Sequence, residues 1–232
     1  MKIKLDVSNY DYINKNYAKE FQRVLRGIYV CYKKMLKDKV KLPNDENKIR
    51  NCLVIDYLRN DRIRKNIDLL GFQFEIESPE DNTNGRVDIK ICTLKTFVKS
   101  AAYYIVECKR LDNENTKGNT GLNAKYIKEG IYRFVTKKYS SYHRINAMIG
   151  FIVENMEIQK NKDNINFLLN KLSDYNCKTT KYLSEEIFIP DFEFHYSSEH
   201  KDIENKNIML YHLMLDFSKL IYQKSIKNTA KT

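Results

Sequence analysis

The run Ala101-Ala-Tyr-Tyr-Ile-Val-Glu-Cys-Lys109 constrains the fold more than any other segment of the chain. Through Val106 it is apolar at every position, which suits a strand covered on both faces inside a layered sheet. Glu107 and Lys109 then interrupt it. Side chains on a strand alternate, so these two charges share one face while Val106 and Cys108 share the other. A carboxylate on such a strand needs a partner or a task. A second short strand, Arg86-Val-Asp-Ile-Lys-Ile91, lies a hairpin's length upstream and, on pairing, brings Asp88 to the same face. Two carboxylates and an ammonium at one spot have the chemistry of a divalent-metal hydrolytic site. The carboxylates hold a hard cation with open water positions, and the ammonium stands beside the attacking water or the developing charge.

The rest of the composition narrows the class. A hydrophobic content of 42% with only three prolines and seven glycines among 232 residues supports a packed core rather than disorder. The 41 basic residues exceed the 30 acidic ones and give a net charge of +11, which favours a polyanionic partner, most simply nucleic acid. A low-GC genome that inflates Lys, Asn and Ile is the plainer source of the same charge. Seventeen tyrosines could stack on bases, although half-buried packing accounts for most of them. The five cysteines (Cys31, Cys52, Cys92, Cys108, Cys177) are odd in number, irregularly spaced and without a CxxC pair, which suggests neither a zinc ribbon nor a disulfide framework. Nothing resembles a secretory segment or an apolar run of ~18 residues, so a cytoplasmic, reduced protein without a membrane partner is expected. His143, His195, His200 and His212 show no ligand spacing. Gly118 and Gly121 lack the order of a phosphate loop, so no ATPase motor is expected within the chain.

Periodicity orders the elements. A helix is predicted from about Asn14 to Lys39, apolar at Tyr17, Phe21, Val24, Leu25 and Ile28 and basic at Lys19, Arg23, Arg26, Lys33 and Lys34. Leu42-Pro43-Asn44 ends it, and Asn44 would cap a second helix from Asp45 to about Leu70, stopped by Gly71. Strands follow at Phe72–Glu77, around Asp88 and at Ala101–Lys109, then a polar loop from Asp112 to Gly121. A helix from Asn123 to Tyr139, a strand at Ala147–Val153, a helix from Ile158 to Leu172 and two late strands, Phe192–Tyr196 and Ile208–Leu215, complete the pattern. Lys224–Thr232 reads as a frayed basic tail. The division is 1–42, a basic helical extension, and 43–232, an α/β domain.

The order helix, hairpin, Asp88, hairpin, Glu107-Cys-Lys109, helix, strand resembles the PD-(D/E)xK nuclease superfamily over roughly Asp45 to Val153. Only the short motif is specific, and Val87 stands where the pattern's name has proline. The resemblance implies a restriction-endonuclease-like core, α-β-β-β-α-β, with a mixed sheet flanked by helices. It implies Mg²⁺ or Mn²⁺ held by Asp88, Glu107 and the carbonyl of Cys108, with Lys109 as the catalytic lysine. A further acidic ligand is expected from the preceding helix. Glu46 fits, although the helix dipole alone also favours an acid there; Glu75 and Glu77 are the other sources. The helix after Lys109 would flank the site, with Tyr126, Arg133 and Lys137 as phosphate-binding residues beside Gly130. The function implied is DNA phosphodiester hydrolysis in bacterial restriction or anti-phage defence, with a separate helicase or ATPase subunit, or a homodimer, as partner. A cleavage-dead binding or assembly subunit and an RNA-cleaving toxin are the alternatives.

Overall fold

A computed structural model describes residues 8–79, 86–139, 142–172 and 178–222, with side chains from Asn16 onward. The expected basic tail and the turn at Asn84-Gly85 lie outside the described residues. The chain is α/β: a seven-stranded mixed sheet is flanked by helices.

Helix α1 (Ser8–Asp38) buries Phe21, Val24, Leu25, Ile28, Cys31 and Met35, the stripe that its sequence spacing predicts. It ends where Lys39 enters the left-handed region (φ 53°), with Lys39 N–H donating to the Leu36 carbonyl and Val40 N–H to that of Met35. The described part of α1 packs on the core, its stripe sharing one apolar cluster with Ile49, Val106, Ile149 and Leu213.

The single helix expected over Asp45–Leu70 is three pieces. Helix α2 (Glu46–Asn51) is capped by Asp45 rather than Asn44, the Asp45 carboxylate accepting the Lys48 N–H at 2.9 Å. It runs into a π-helical turn (Cys52–Leu58), and α3 (Asp61–Asn66) restarts behind its own cap, Asn60. Asn60 is a strong cap residue, and a capping side chain competes with a continuous helix. Helix α3 ends at Asn66, short of Gly71.

Strands β1 (Gln73–Pro79) and β2 (Arg86–Cys92) form an antiparallel hairpin, and a short helix α4 (Leu94–Val98), capped by Thr93, leads to β3 (Tyr104–Leu111). A helix follows in three continuous parts, α5 (Leu122–Tyr126), a π turn (Ile127–Ile131) and α6 (Tyr132–Val135). Then come β4 (Ile145–Ile152), α7 (Ile158–Lys171), β5 (Lys178–Glu185), β6 (His195–Lys201) and β7 (Asn207–Asp216). The order across the sheet is β1-β2-β3-β4-β7-β6-β5, with β3–β4 and β4–β7 parallel and the other pairs antiparallel.

Alternation on β3 and β4 fixes the layers. Val106, Cys108, Ala147 and Ile149 join the α1 cluster, while Ile105, Leu111, Met148 and Ile152 join a second cluster with Ile127, Ile131, Phe134 and Leu168. Edge strand β5 is polar and half-exposed, and so it escapes a periodicity reading. Strand β6 lies several residues beyond the expected Phe192–Tyr196 because its buried positions include His195, Ser197, Ser198 and His200.

Candidate active site

The antiparallel ladder between β2 and β3 pairs Ile89 with Val106, Lys90 with Ile105 and Ile91 with Tyr104, and stops there. Beyond it the backbones part. Arg86 and Val87 pair only toward β1, and Glu107 through Leu111 pair toward β4. At the fork the Asp88 carboxylate takes over a backbone role, its Oδ2 accepting the Cys108 N–H at 2.8 Å.

Lys109 Nζ stands at the focus of this fork. It lies 2.8 Å from Glu107 Oε1, 3.1 Å from Glu46 Oε1 and 3.9 Å from Asp88 Oδ2, and donates to the Cys108 carbonyl at 2.9 Å. Glu46 reaches it from the first turn of α2 and also accepts the Arg110 N–H at 2.9 Å. The structure thus brings together Asp88, Glu107, Lys109, Cys108 and Glu46. Glu75 stays apart, accepting from Ser78.

Three further groups complete the cluster. Arg50, 1% exposed, bridges Asp88 Oδ1 at 2.8 Å and Glu77 Oε1 at 2.7 Å. Glu77 adopts a left-handed backbone (φ 51°), which costs a non-glycine residue roughly 1–2 kcal/mol. Arg133 donates to Glu107 Oε1 at 2.6 Å, and the Tyr139 hydroxyl donates to Glu107 Oε2 at 2.7 Å. Arg50 and Tyr139 were not anticipated. The available signal for Arg50 was its position four residues after Glu46, on the same helical face.

The electrostatics follow from burial. Glu107 is fully buried; burial first, and the Asp88 charge second, push its carboxyl up to about 7, with Lys109 and Arg133 pulling back. Burial opposes the Lys109 charge, but Glu107, Asp88 and Glu46 outweigh it and hold the ammonium above its ordinary range. Burial and the adjacent Glu107 raise the Tyr139 phenol, which stays a donor.

Two expected phosphate-binding residues lie elsewhere. Tyr126 is fully buried, its hydroxyl 2.8 Å from His212 Nδ1. In a regular helix Tyr126 and Arg133, seven apart, would share a face. The intervening π turn adds about one residue and rotates Arg133 by roughly 100° relative to Tyr126. Lys137 lies past the helix end at Val135, with φ 57°, and pairs with Glu204. Arg86 and Lys138 line the cleft instead. Gly130 owes its identity to close approach: a Cβ there would lie 2.4 Å from Met148 Cε and 3.7 Å from Lys109 Cγ.

The His212 ring continues a buried chain. Its Nε2 is 2.7 Å from Ser198 Oγ, which is 2.7 Å from His200 Nε2, and His200 Nδ1 is 3.1 Å from Thr179 Oγ1. Burial holds His212 and His200 below the ordinary histidine range, His200 at about 4.

A cleft of about 430 Å³ opens over Glu46, Arg50, Asp88, Lys109 and Arg133, with Glu107 beneath it. A larger cleft, about 1190 Å³, lined by Asp45, Lys48, Glu154, Asp216 and Lys219 among others, contains none of the clustered residues. The donor set at the fork fits a hard divalent ion in kind, being carboxylate and carbonyl oxygens that already converge on one cation. As arranged, that cation is the lysine ammonium. Among the described residues no three His, Cys, Asp or Glu side chains stand ready to hold a metal. Among the same residues no helix is long and apolar enough to cross a membrane. Compared with known proteins, the chain matches no family model, no curated protein and no solved structure.

Proposed function

We propose that this chain is a metal-dependent nuclease of PD-(D/E)xK type, with a restriction-endonuclease-like core, that hydrolyses DNA phosphodiester bonds. One observation carries the reading: four oxygens, from Glu46, Asp88, Glu107 and the Cys108 carbonyl, surround Lys109 Nζ at an open fork in the sheet. The element order around the fork supports it too, with an acid-bearing helix before the hairpin, the Glu107-Cys108-Lys109 strand at the centre and a helix leading to a parallel strand. A place in restriction or anti-phage defence, beside a separate helicase or ATPase subunit, belongs to the same proposal and rests on the sequence resemblance.

Asp88, Glu107, Glu46 and the Cys108 carbonyl would hold Mg²⁺ or Mn²⁺, which when bound makes its water more acidic and offsets phosphate charge. The reaction adds water to phosphorus and breaks one P–O ester bond, leaving a phosphomonoester and a hydroxyl. Lys109, released from the carboxylates, orients the incoming water or meets charge developing on the phosphate. Arg133 faces the same cleft and steadies a phosphate oxygen. Arg50 touches no reacting atom in this scheme; it positions Asp88 through the 2.8 Å ion pair.

A second reading has its own support. Every acid at the fork is already ion-paired, an arrangement that suits a subunit keeping the fold and binding nucleic acid without cutting it. Cleavage of supercoiled plasmid with Mg²⁺ or Mn²⁺ separates the two. Loss of cutting in both Glu107→Ala and Lys109→Ala is expected of the nuclease. DNA binding with no cutting under any divalent metal overturns it in favour of the binding subunit, and cleavage of RNA with DNA spared moves the substrate to RNA.

A further inference from the structure

The exposed face of α1 is basic along its described length, with Asp38 at its C-terminal edge the one exposed acid among the described residues of the helix. Lys19, Arg23, Arg26, Lys33, Lys34 and Lys37 project within about 100° of one another on a 3.6-residue wheel, opposite the buried stripe centred on Ile28. From Lys19 to Lys37 the stripe spans about 27 Å at 1.5 Å per residue. Arg23 pairs with Asp68 and Lys34 with Asp38, both at the surface. Lys19, Arg26, Lys33 and Lys37 form no ion pair among the described residues. Of the acids on the flank, Glu20 is committed to Lys95 and Tyr104, and Asp38 to the stripe's own Lys34 and to Tyr57. None of the stripe residues lines the cleft over Lys109.

We propose that this face of α1 is a second nucleic-acid contact, a rail that binds the phosphate backbone without reading sequence. A strand places one phosphate about every 3.4 Å along a duplex, so 27 Å of like-signed cations match a repeating polyanion better than an isolated acidic patch. An anionic membrane is the weaker occupant. Surface helices bury an apolar face in lipid, whereas the apolar stripe of α1 packs in the protein core and, among its described side chains, only the large apolar Val30, 45% exposed, interrupts the basic face. The proposal does not depend on cleavage, because a binding subunit would use the same rail.

The test replaces the four unpaired cations by glutamine (Lys19→Gln, Arg26→Gln, Lys33→Gln, Lys37→Gln). Binding to a ~25-base-pair duplex of arbitrary sequence, without divalent metal, is followed by fluorescence anisotropy from about 50 to 200 mM salt. Each lost phosphate contact reduces the slope of log K against log salt by about 0.9, so the slope falls by about 3 to 4 and affinity near 0.1 M salt drops roughly 100-fold or more. The double variant Arg26→Gln, Lys33→Gln gives about half that change, which covers any folding defect in the quadruple one. A charge-matched control, Lys125→Gln, Lys160→Gln, Lys171→Gln, Lys178→Gln, alters exposed cations on other elements. An unchanged slope in the α1 variants, or an equal change in the control, overturns the rail. So does loss of binding to phosphatidylserine vesicles with DNA binding intact. A cleavage-dead Lys109→Ala protein that keeps the full slope leaves the rail standing whatever becomes of the nuclease reading.

Discussion

Replacing Glu107 by glutamine should stabilise the folded protein in alkaline solution while removing cleavage. The carboxyl sits fully buried against Lys109, Arg133 and Tyr139, yet titrates at about 7 instead of the ordinary 4.5, because burial and the neighbouring Asp88 charge outweigh both cations. An acid whose folded pKa exceeds its unfolded one favours the fold at low pH and opposes it as pH rises from 4.5 through 7. Above pH 8 the gap corresponds to about 3 kcal/mol, at 1.36 kcal/mol per pH unit. Glutamine has nearly the same shape, keeps a carbonyl acceptor for Lys109 and Arg133, and carries no charge to bury. Urea unfolding of both proteins between pH 4.5 and 9, without divalent metal, measures the difference. The variant should match the wild type near pH 4.5 and exceed it by up to about 3 kcal/mol at pH 8.5. Adding Mg²⁺ should raise the wild-type midpoint and leave the variant nearly unmoved, since the ion selects the ionised carboxylate. A variant less stable than wild type at pH 8.5 would refute the argument, by showing that the two cations more than offset the burial of this charge.

Other perturbations read other parts of the structure. Between pH 6.5 and about 4 the unfolded chain takes up protons that buried His143 and His200 refuse, so stability falls over that window by up to about 3 kcal/mol for each. Glu107 works in the opposite sense there, so the loss is steepest in the Glu107→Gln background, and a flat urea midpoint in that protein from pH 7 to 4.5 would contradict the assignment. Tyr126→Phe leaves His212 Nδ1 without its donor and should lower stability by about 1–3 kcal/mol while cleavage at a permissive temperature is retained; a selective loss of substrate affinity would return Tyr126 to the site. Gly130→Ala presses on a methionine end that can swing, and should change stability by less than about 1 kcal/mol in thermal unfolding. Gly130→Leu reaches the stem of Lys109 and should reduce cleavage roughly 100-fold, as misplaced catalytic groups do; full activity in that variant would show that Lys109 does not need its present position.

The clustering of Asp88, Glu107 and Lys109 was legible because strand alternation is rigid: once Val106 and Cys108 face the α1 cluster, Glu107 and Lys109 must face away from it. Glu46 was legible from the inward stripe of its helix, and the α1 stripe from its spacing. Tyr126 and Lys137 were misplaced for a common reason. A wheel assumes an unbroken α-helix, and here a π turn falls between Tyr126 and Arg133 while the helix ends before Lys137. The breaks after Leu58 and Asn66 were hidden likewise, since Ile63 and Ile67 continue an apolar rhythm across them. Strand β6 was placed a few residues too early because its buried positions include polar side chains, which hydropathy reads as surface. Arg50 shares the helical face of Glu46, but its burial depends on Asp88 and Glu77, which lie distant in sequence.

The buried run Tyr126–His212–Ser198–His200–Thr179 has a consequence of its own. With both imidazoles neutral, the five side chains carry five mobile protons for four hydrogen bonds. Among the described residues the Tyr126 hydroxyl has no acceptor except His212, so its proton must point there. His212 then carries its proton on Nε2, Ser198 donates onward, and His200 carries its proton on Nδ1 toward Thr179. Polarity set at Tyr126 on α5 is thereby inherited, bond by bond, by the edge strand β5. Reversing any one member would force all the others to turn, which makes the run a vectorial lock between α5 and the far edge of the sheet.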